Sequence, residues 1–224
     1  MIPDIRCHAI LDPSRSRGRS LAALAAAAIE GGATLLQYRD KEASTRLMVQ
    51  RARDILKAIA GAKVPLIVND RVDVAMVAHA DGVHVGQDDM TAQDVRRLLG
   101  PDAILGLTIK SPEHVDAAPL GLLSYVCIGG VFETLSKVNP EPPLGLVGLA
   151  RLAVRVRALR PDLPVGAIAG ITAANAAEVV AVGADGIAAI GEIFLADDPR
   201  AATLRLRRVV DAALIARRAE EERR

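Results

Sequence analysis

Short apolar runs with no polar alternation recur eight times along these 224 residues, each followed by a helix-like run. A strand of that kind is buried on both faces, as parallel strands are. The runs are Ile5 to Leu11, Leu35 to Tyr38, Leu66 to Val68 behind Pro65, Gly82 to Val85, Ile104 to Thr108, Tyr125 to Ile128, Val165 to Ala169 and Gly186 to Ile190. Between them, Ser20, Ser44 or Thr45, and Thr91 stand where helix N-caps are expected, and Gly31-Gly32 ends the first helix. The last helix is expected over Pro199 to Arg217, followed by a charged tail, 217–224, that frays. Alternating strand and helix units imply a parallel sheet, and eight units in this length fit one (β/α)8 TIM barrel domain spanning 1–224. An open, doubly wound sheet is the rival. No G-x-G-x-x-G follows the first strand, which argues against it. No linker or shift of composition divides the chain.

Charge and composition narrow the function classes. Lys plus Arg is 28 and Asp plus Glu is 27, so no global field draws nucleic acid or a membrane surface. There is no Trp, and only two Tyr and two Phe, which removes the usual base-stacking platform. The core must come from Ala, Val, Leu and Ile. Cys7 and Cys127 lie in strand-like runs and read as small buried hydrophobes, not as a disulfide or metal framework. No apolar span reaches the length of about 18 residues that a membrane helix needs. Arg15, Arg17 and Arg19 before the Ala-rich run Leu21 to Ile29 mimic a leader peptide. A strand-like run precedes them and Glu30 closes the run, so an amphipathic helix and a cytoplasmic location are expected. Oligomeric state is not set, and a homo-oligomer stays open.

In a barrel the chemistry sits where strands end. The third and fourth strands end in Asn69-Asp70 and Gln87-Asp88-Asp89. Neighbouring parallel strands lie about 4.8 Å apart, so these acids converge. Close carboxylates need a proton or a cation between them, and an all-oxygen set suits a hard metal such as Mg2+. The plainer reading is that each Asp caps the helix that follows. The second strand supplies Gln37, Arg39 and Lys41, which suit a phosphate or pyrophosphate; Arg39 and Lys41 could instead pair with Asp40 and Glu42 on the surface. The fifth strand gives Thr108 and Lys110. His84 lies within a strand and reads as a satisfied core histidine. The loop Gly129 to Pro143 carries Thr134, Ser136 and Lys137, and a long loop of that kind suits a flap over substrate or an insertion. Gly170 and Gly191, after the last two strands, let backbone N–H groups approach a second anion. No Ser-His-Asp set or strand-borne Schiff-base lysine is visible.

These residues fall in motifs similar to those of the thiamine phosphate synthase family. They are QYRDK (37–41), NDRVDVA (69–75), ADGVHVGQDD (80–89), GLT (106–108), GGVFETLSK (129–137) and AGI (169–171). The resemblance implies Mg2+-dependent joining of 4-amino-5-hydroxymethyl-2-methylpyrimidine diphosphate to a thiazole phosphate. Pyrophosphate leaves first, and the thiazole nitrogen captures the pyrimidine carbocation. It implies that Gln37, Arg39, Lys41, Asn69, Thr108 and Lys137 hold the diphosphate substrate, with Arg39, Lys41 and Lys137 easing its departure. Asp70 and Asp89 would hold Mg2+. Thr134, Ser136, Gly170, Ile190 and Gly191 would hold the thiazole phosphate. The chain departs from the family at Gly191, usually Ser, at Ala169, usually Gly, and at Lys110, usually His. Thr108 stands for a Ser and Ser136 for a Thr. A thiazole tautomerase of the sister family and a barrel that only binds thiamine precursors are the competing readings.

Overall fold

The structure, a computed structural model, describes residues 2–134 and 142–223. Its eight strands are β1 (Cys7–Leu11), β2 (Leu35–Tyr38), β3 (Leu66–Asn69), β4 (Gly82–Val85), β5 (Ile104–Ile109), β6 (Tyr125–Ile128), β7 (Val165–Ile168) and β8 (Gly186–Ala189). All pair in parallel and in chain order, and the ladder closes. Strand β1 pairs with β2, His8 opposite Leu35, and with β8, Cys7 opposite Ile187. Closure excludes the open, doubly wound sheet, whose end strands would not pair with each other.

The unalternated apolar runs have the expected cause: each strand faces one apolar layer inside the barrel and another beneath the helices. Ile10, Leu35, Ile67, Ile104, Tyr125, Cys127 and Ala188 pack together in the interior. Their strand neighbours, among them Leu36, Val68, Leu105, Val126 and Ile187, belong to a larger cluster with helix residues such as Met48, Leu149 and Leu206. Both cysteines are buried and free. Burial pushes each thiol up to about 12, so they stay protonated and serve as packing.

The helices are α1 (Leu21–Glu30), α2 (Thr45–Ala58), α3 (Val72–Ala78), α4 (Ala92–Leu99), α5 (Pro112–Ala117), α6 (Gly145–Leu159), α7 (Ala176–Ala181), the four-residue α8 (Gly191–Phe194) and α9 (Pro199–Glu221). Ser20, Ser44 and Thr91 cap their helices through side-chain oxygens, as their positions suggest. Helix α7 begins only at Ala176. Asn175 accepts from the Thr172 N–H at 2.8 Å and donates to the Gly170 carbonyl at 3.0 Å, holding the preceding residues as a loop. Helix α9 runs past Arg217 to Glu221. Arg217 donates to the carbonyls of Val180 and Ala184 and to Asp185, which anchors that last turn. Arg17 and Arg19 belong to the barrel seam. Arg17 pairs with Asp197, and Arg19 donates to the carbonyls of Phe194 and Ala196 at the end of α8. Among the described residues, no helix is long and apolar enough to cross a membrane.

Strand β4 enters the barrel through Gly82, where a Cβ would overlap the backbone of Ile104 on β5. Only a residue without a side chain allows that strand approach. Replacing it should push β4 away from β5: Gly82→Ala is expected to destabilise the fold by about 3 kcal/mol in urea unfolding.

Candidate active site

At the C-terminal mouth of the barrel lies a cavity of about 230 Å3. Strand alternation decides what lines it. Gln37 on β2, Asn69 on β3, His84 on β4 and Thr108 on β5 are the last inward residues of their strands and line the cavity, as do His8 and, two residues further along β1, Ile10. The other side is small and apolar, with Ile168, Ala188, Ile190 and the glycines at 129, 130, 170 and 191. Arg39, Lys110, Thr134, Thr172 and Glu192 also line it. Of the residues the sequence singles out, Lys41, Asp70 and Asp89 form a separate cluster, and Asp70 directly follows Asn69. Ser136 and Lys137 lie outside the described residues.

The cations of β2 are held by acids other than their chain neighbours. Arg39 pairs with Asp12 at the end of β1, and Lys41 pairs with Asp70 at the end of β3. The surface pairs with Asp40 and Glu42 do not form, because Asp40 has another task. It accepts the N–H groups of Glu42 and Ala43, the Tyr38 hydroxyl at 2.9 Å and Arg51 at 2.6 Å. Burial would raise its pKa, but these hydrogen bonds outweigh burial and hold the carboxyl below its usual range. An ionised Asp40 thus ties down the turn that presents Arg39 and Lys41.

Asp70 and Asp89 meet as the strand ends suggest, and neither caps a helix. The N-cap of α3 is Arg71, with no side-chain cap, and that of α4 is Thr91. Asp89 Oδ2 accepts the Gly86 N–H at 2.7 Å and lies against Asp70. Burial, then the neighbouring Asp70, push the Asp89 carboxyl above its usual range. Asp89 is half-buried while Asp88 is exposed, so Asp89 is the member of the pair that turns inward. Asp70 has φ 60, a left-handed conformation uncommon outside glycine and held here by its N–H donating to the His84 carbonyl at 2.8 Å. Two carboxylates brought together, one of them in a strained backbone, fit a small hard cation; Lys41 is the positive charge already beside them. Among the described residues no group of three or more His, Cys, Asp or Glu could hold a metal, so a cation here would need oxygens from water or substrate as well.

Inside the mouth, His84 is buried and satisfied, with Nδ1 2.8 Å from the Tyr125 hydroxyl and Nε2 2.8 Å from Thr108 Oγ1. His8, which sequence reasoning passed over, is also buried, with Nε2 3.2 Å from Gln37 Nε2. Its only sequence signal is its position two residues before Ile10 in the first strand, and which face that is depends on the barrel register. On the opposite rim Glu192 accepts the Ala173 N–H at 3.1 Å, joining the β7 and β8 loops beside Gly170 and Gly191. Ala169 sits there at φ 91, where an L side chain is strained. The residues thus leave a polar, cation-bearing wall facing a wall of small residues with Glu192 at its rim.

Comparisons with known proteins agree on one family. A family model described as thiamine monophosphate synthase matches residues 7–193. The thiamine-phosphate synthase of Agrobacterium fabrum is 50% identical over 214 residues, covering 96% of this chain and 97% of that protein. That of Chloroflexus aurantiacus is 44% identical over 209 residues, covering 93% and 94%. The solved structure of a thiamine phosphate pyrophosphorylase from Pyrococcus furiosus superposes with a TM-score of 0.81 at 33% identity, covering 95% of this chain and 98% of that one.

Two measurements check the geometry of the mouth. Burial, then the neighbouring His84, lower the His8 pKa from 6.5 to about 3. The unfolded chain therefore takes up a proton near pH 6.5 that the folded chain refuses. Stability should be complete above that pH and fall by about 1.4 kcal/mol per unit as the pH drops from 6.5 towards 3. His8→Gln should flatten that loss in urea titrations at successive pH values. Ala169→Gly should relieve the backbone strain and raise stability by about 1 kcal/mol in the same assay.

Proposed function

The chain belongs to the thiamine monophosphate synthase family and is a transferase, and from that premise we propose that it makes thiamine phosphate in a Mg2+-dependent reaction. The substrates are 4-amino-5-hydroxymethyl-2-methylpyrimidine diphosphate and the thiazole phosphate. The observation that carries this reading is the Asp70–Asp89 pair with Lys41 beside it, next to a cavity whose far wall is lined by glycines. A diphosphate needs concentrated positive charge at one end of the site, and a monophosphate needs exposed N–H groups at the other.

The reaction breaks the bond between the pyrimidine methylene carbon and the diphosphate oxygen. The electron pair leaves with pyrophosphate, and the lone pair of the thiazole nitrogen then forms the new carbon–nitrogen bond. In this assignment Gln37 and Asn69 orient the diphosphate substrate and Thr108 donates to it. Arg39, Lys41 and Lys137 stabilise the charge that grows on the leaving pyrophosphate. Asp70 and Asp89 would hold Mg2+, which when bound supplies further positive charge against that leaving group. Thr134, Ser136, Gly170, Ile190 and Gly191 would hold the thiazole phosphate. The side chain at 191 brings no hydroxyl, so the backbone carries more of that binding. No general base is required, because the nucleophile is a neutral ring nitrogen with a free lone pair. Two buried, free thiols suit a reducing compartment, in keeping with a cytoplasmic location.

Incubation with both substrates and Mg2+ should yield thiamine phosphate and pyrophosphate in equal amounts. Tautomerised thiazole without coupled product would replace this reading with that of an isomerase, and no turnover at all would leave a binding barrel. Asp70→Ala should retain the fold by circular dichroism and lose about 100-fold or more of the Mg2+-dependent rate. Full activity in that variant would sink the metal assignment.

A further inference from the structure

Behind the cavity wall lies a chain of three side chains whose hydrogen bonds have only one consistent direction. The Tyr125 hydroxyl is 2.8 Å from His84 Nδ1, and His84 Nε2 is 2.8 Å from Thr108 Oγ1. Tyr125 has no exposed surface and does not line the cavity, whereas His84 and Thr108 do. Gly106 makes this arrangement possible. A Cβ there would overlap the hydroxyl end of Tyr125 and Nδ1 of His84.

The Tyr125 hydroxyl has one hydrogen-bond partner among the described residues, His84 Nδ1. Burial raises the phenol well above its ordinary pKa, so it keeps its proton. If Nδ1 carried a hydrogen, the buried phenol proton would have no acceptor, which natural interiors avoid. The phenol therefore donates, and Nδ1 accepts. The hydrogen of a neutral imidazole must then sit on Nε2 and be donated to Thr108 Oγ1. With its oxygen accepting from the ring, Thr108 turns its own hydrogen away from His84 and towards the cavity.

We propose that Tyr125 is a positioning residue which, through His84, fixes Thr108 as a hydrogen-bond donor facing an anionic oxygen of the substrate. The inference rests on the reading of this wall as the diphosphate site. Thr108 is the group that touches substrate; Tyr125 and His84 act through it. Without the phenol, the imidazole can move its hydrogen to Nδ1 and offer a lone pair at Nε2. Thr108 would then donate inwards and present only lone pairs to the diphosphate, which repel it.

The test uses the full chain with 15N-labelled histidine. In the ligand-free protein the His84 ring should be neutral with its hydrogen on Nε2, and Tyr125→Phe should shift that hydrogen to Nδ1. Titration with inorganic pyrophosphate in the presence of Mg2+ gives the second readout. Tyr125→Phe should weaken binding about tenfold, Thr108→Val by a similar factor, and the double variant no more than Thr108→Val alone. In turnover, the loss should fall on KM for the pyrimidine diphosphate more than on KM for the thiazole phosphate. A hydrogen on Nδ1 in the unaltered protein overturns the proposal, as do effects of the two substitutions that multiply. Should Tyr125→Phe not fold, the ring in the unaltered protein still decides. Absence of pyrophosphate binding in the unaltered protein would instead overturn the diphosphate reading, and the ring measurement separates the two failures.

Discussion

Closure of the ladder between β1 and β8 is the constraint on which the rest of this structure depends. Once eight parallel strands share one cylinder, every second residue of each strand points to a common axis. Apolar residues fill that axis below. Towards the mouth the inward positions of β2 to β5 are occupied by Gln37, Asn69, His84 and Thr108, with His8 of β1 beside Gln37, so much of the cavity floor is polar and fixed to strands rather than to loops. Groups on strands hold their geometry better than groups on loops, which suits a floor that must present hydrogen bonds in set directions.

Charge is then distributed by the strand ends. Acids at the ends of β1 and β3 take the two cations presented after β2, and Asp40 secures the turn between those cations. Arg39 and Lys41 are therefore already oriented by carboxylates. An incoming diphosphate would compete with those carboxylates for the cations instead of ordering a free side chain. Burial, then the neighbouring Asp70, raise the Asp89 carboxyl, and a cation placed there would favour its ionised form.

Most of the fold was legible because the signals were local. Leu66 to Val68 and Gly82 to Val85 are apolar without alternation, and that pattern has few causes. Ser20, Ser44 and Thr91 cap helices through contacts three residues away. Asp70 and Asp89 were legible as a pair because strand order alone brings consecutive strand ends together. The partners of Arg39 and Lys41 were not, since Asp12 and Asp70 are distant in sequence while Asp40 and Glu42 are adjacent. Adjacent residues misled because alternation along an extended chain points them apart. The extended end of α9 was hidden too, since Arg217 is anchored by the distant Asp185.

The amino-acid sequence by itself determined the parallel (β/α)8 barrel, the strand ends that carry the chemistry, and the family. Periodicity, capping and motif order are properties of neighbouring residues. The tertiary structure alone decided that His8 and Tyr125 face the barrel interior, that Asp89 turns inward while Asp88 faces solvent, and that Tyr125, His84 and Thr108 join in one chain of hydrogen bonds. Those facts depend on the register between strands far apart in sequence, and register is set only when the whole cylinder closes.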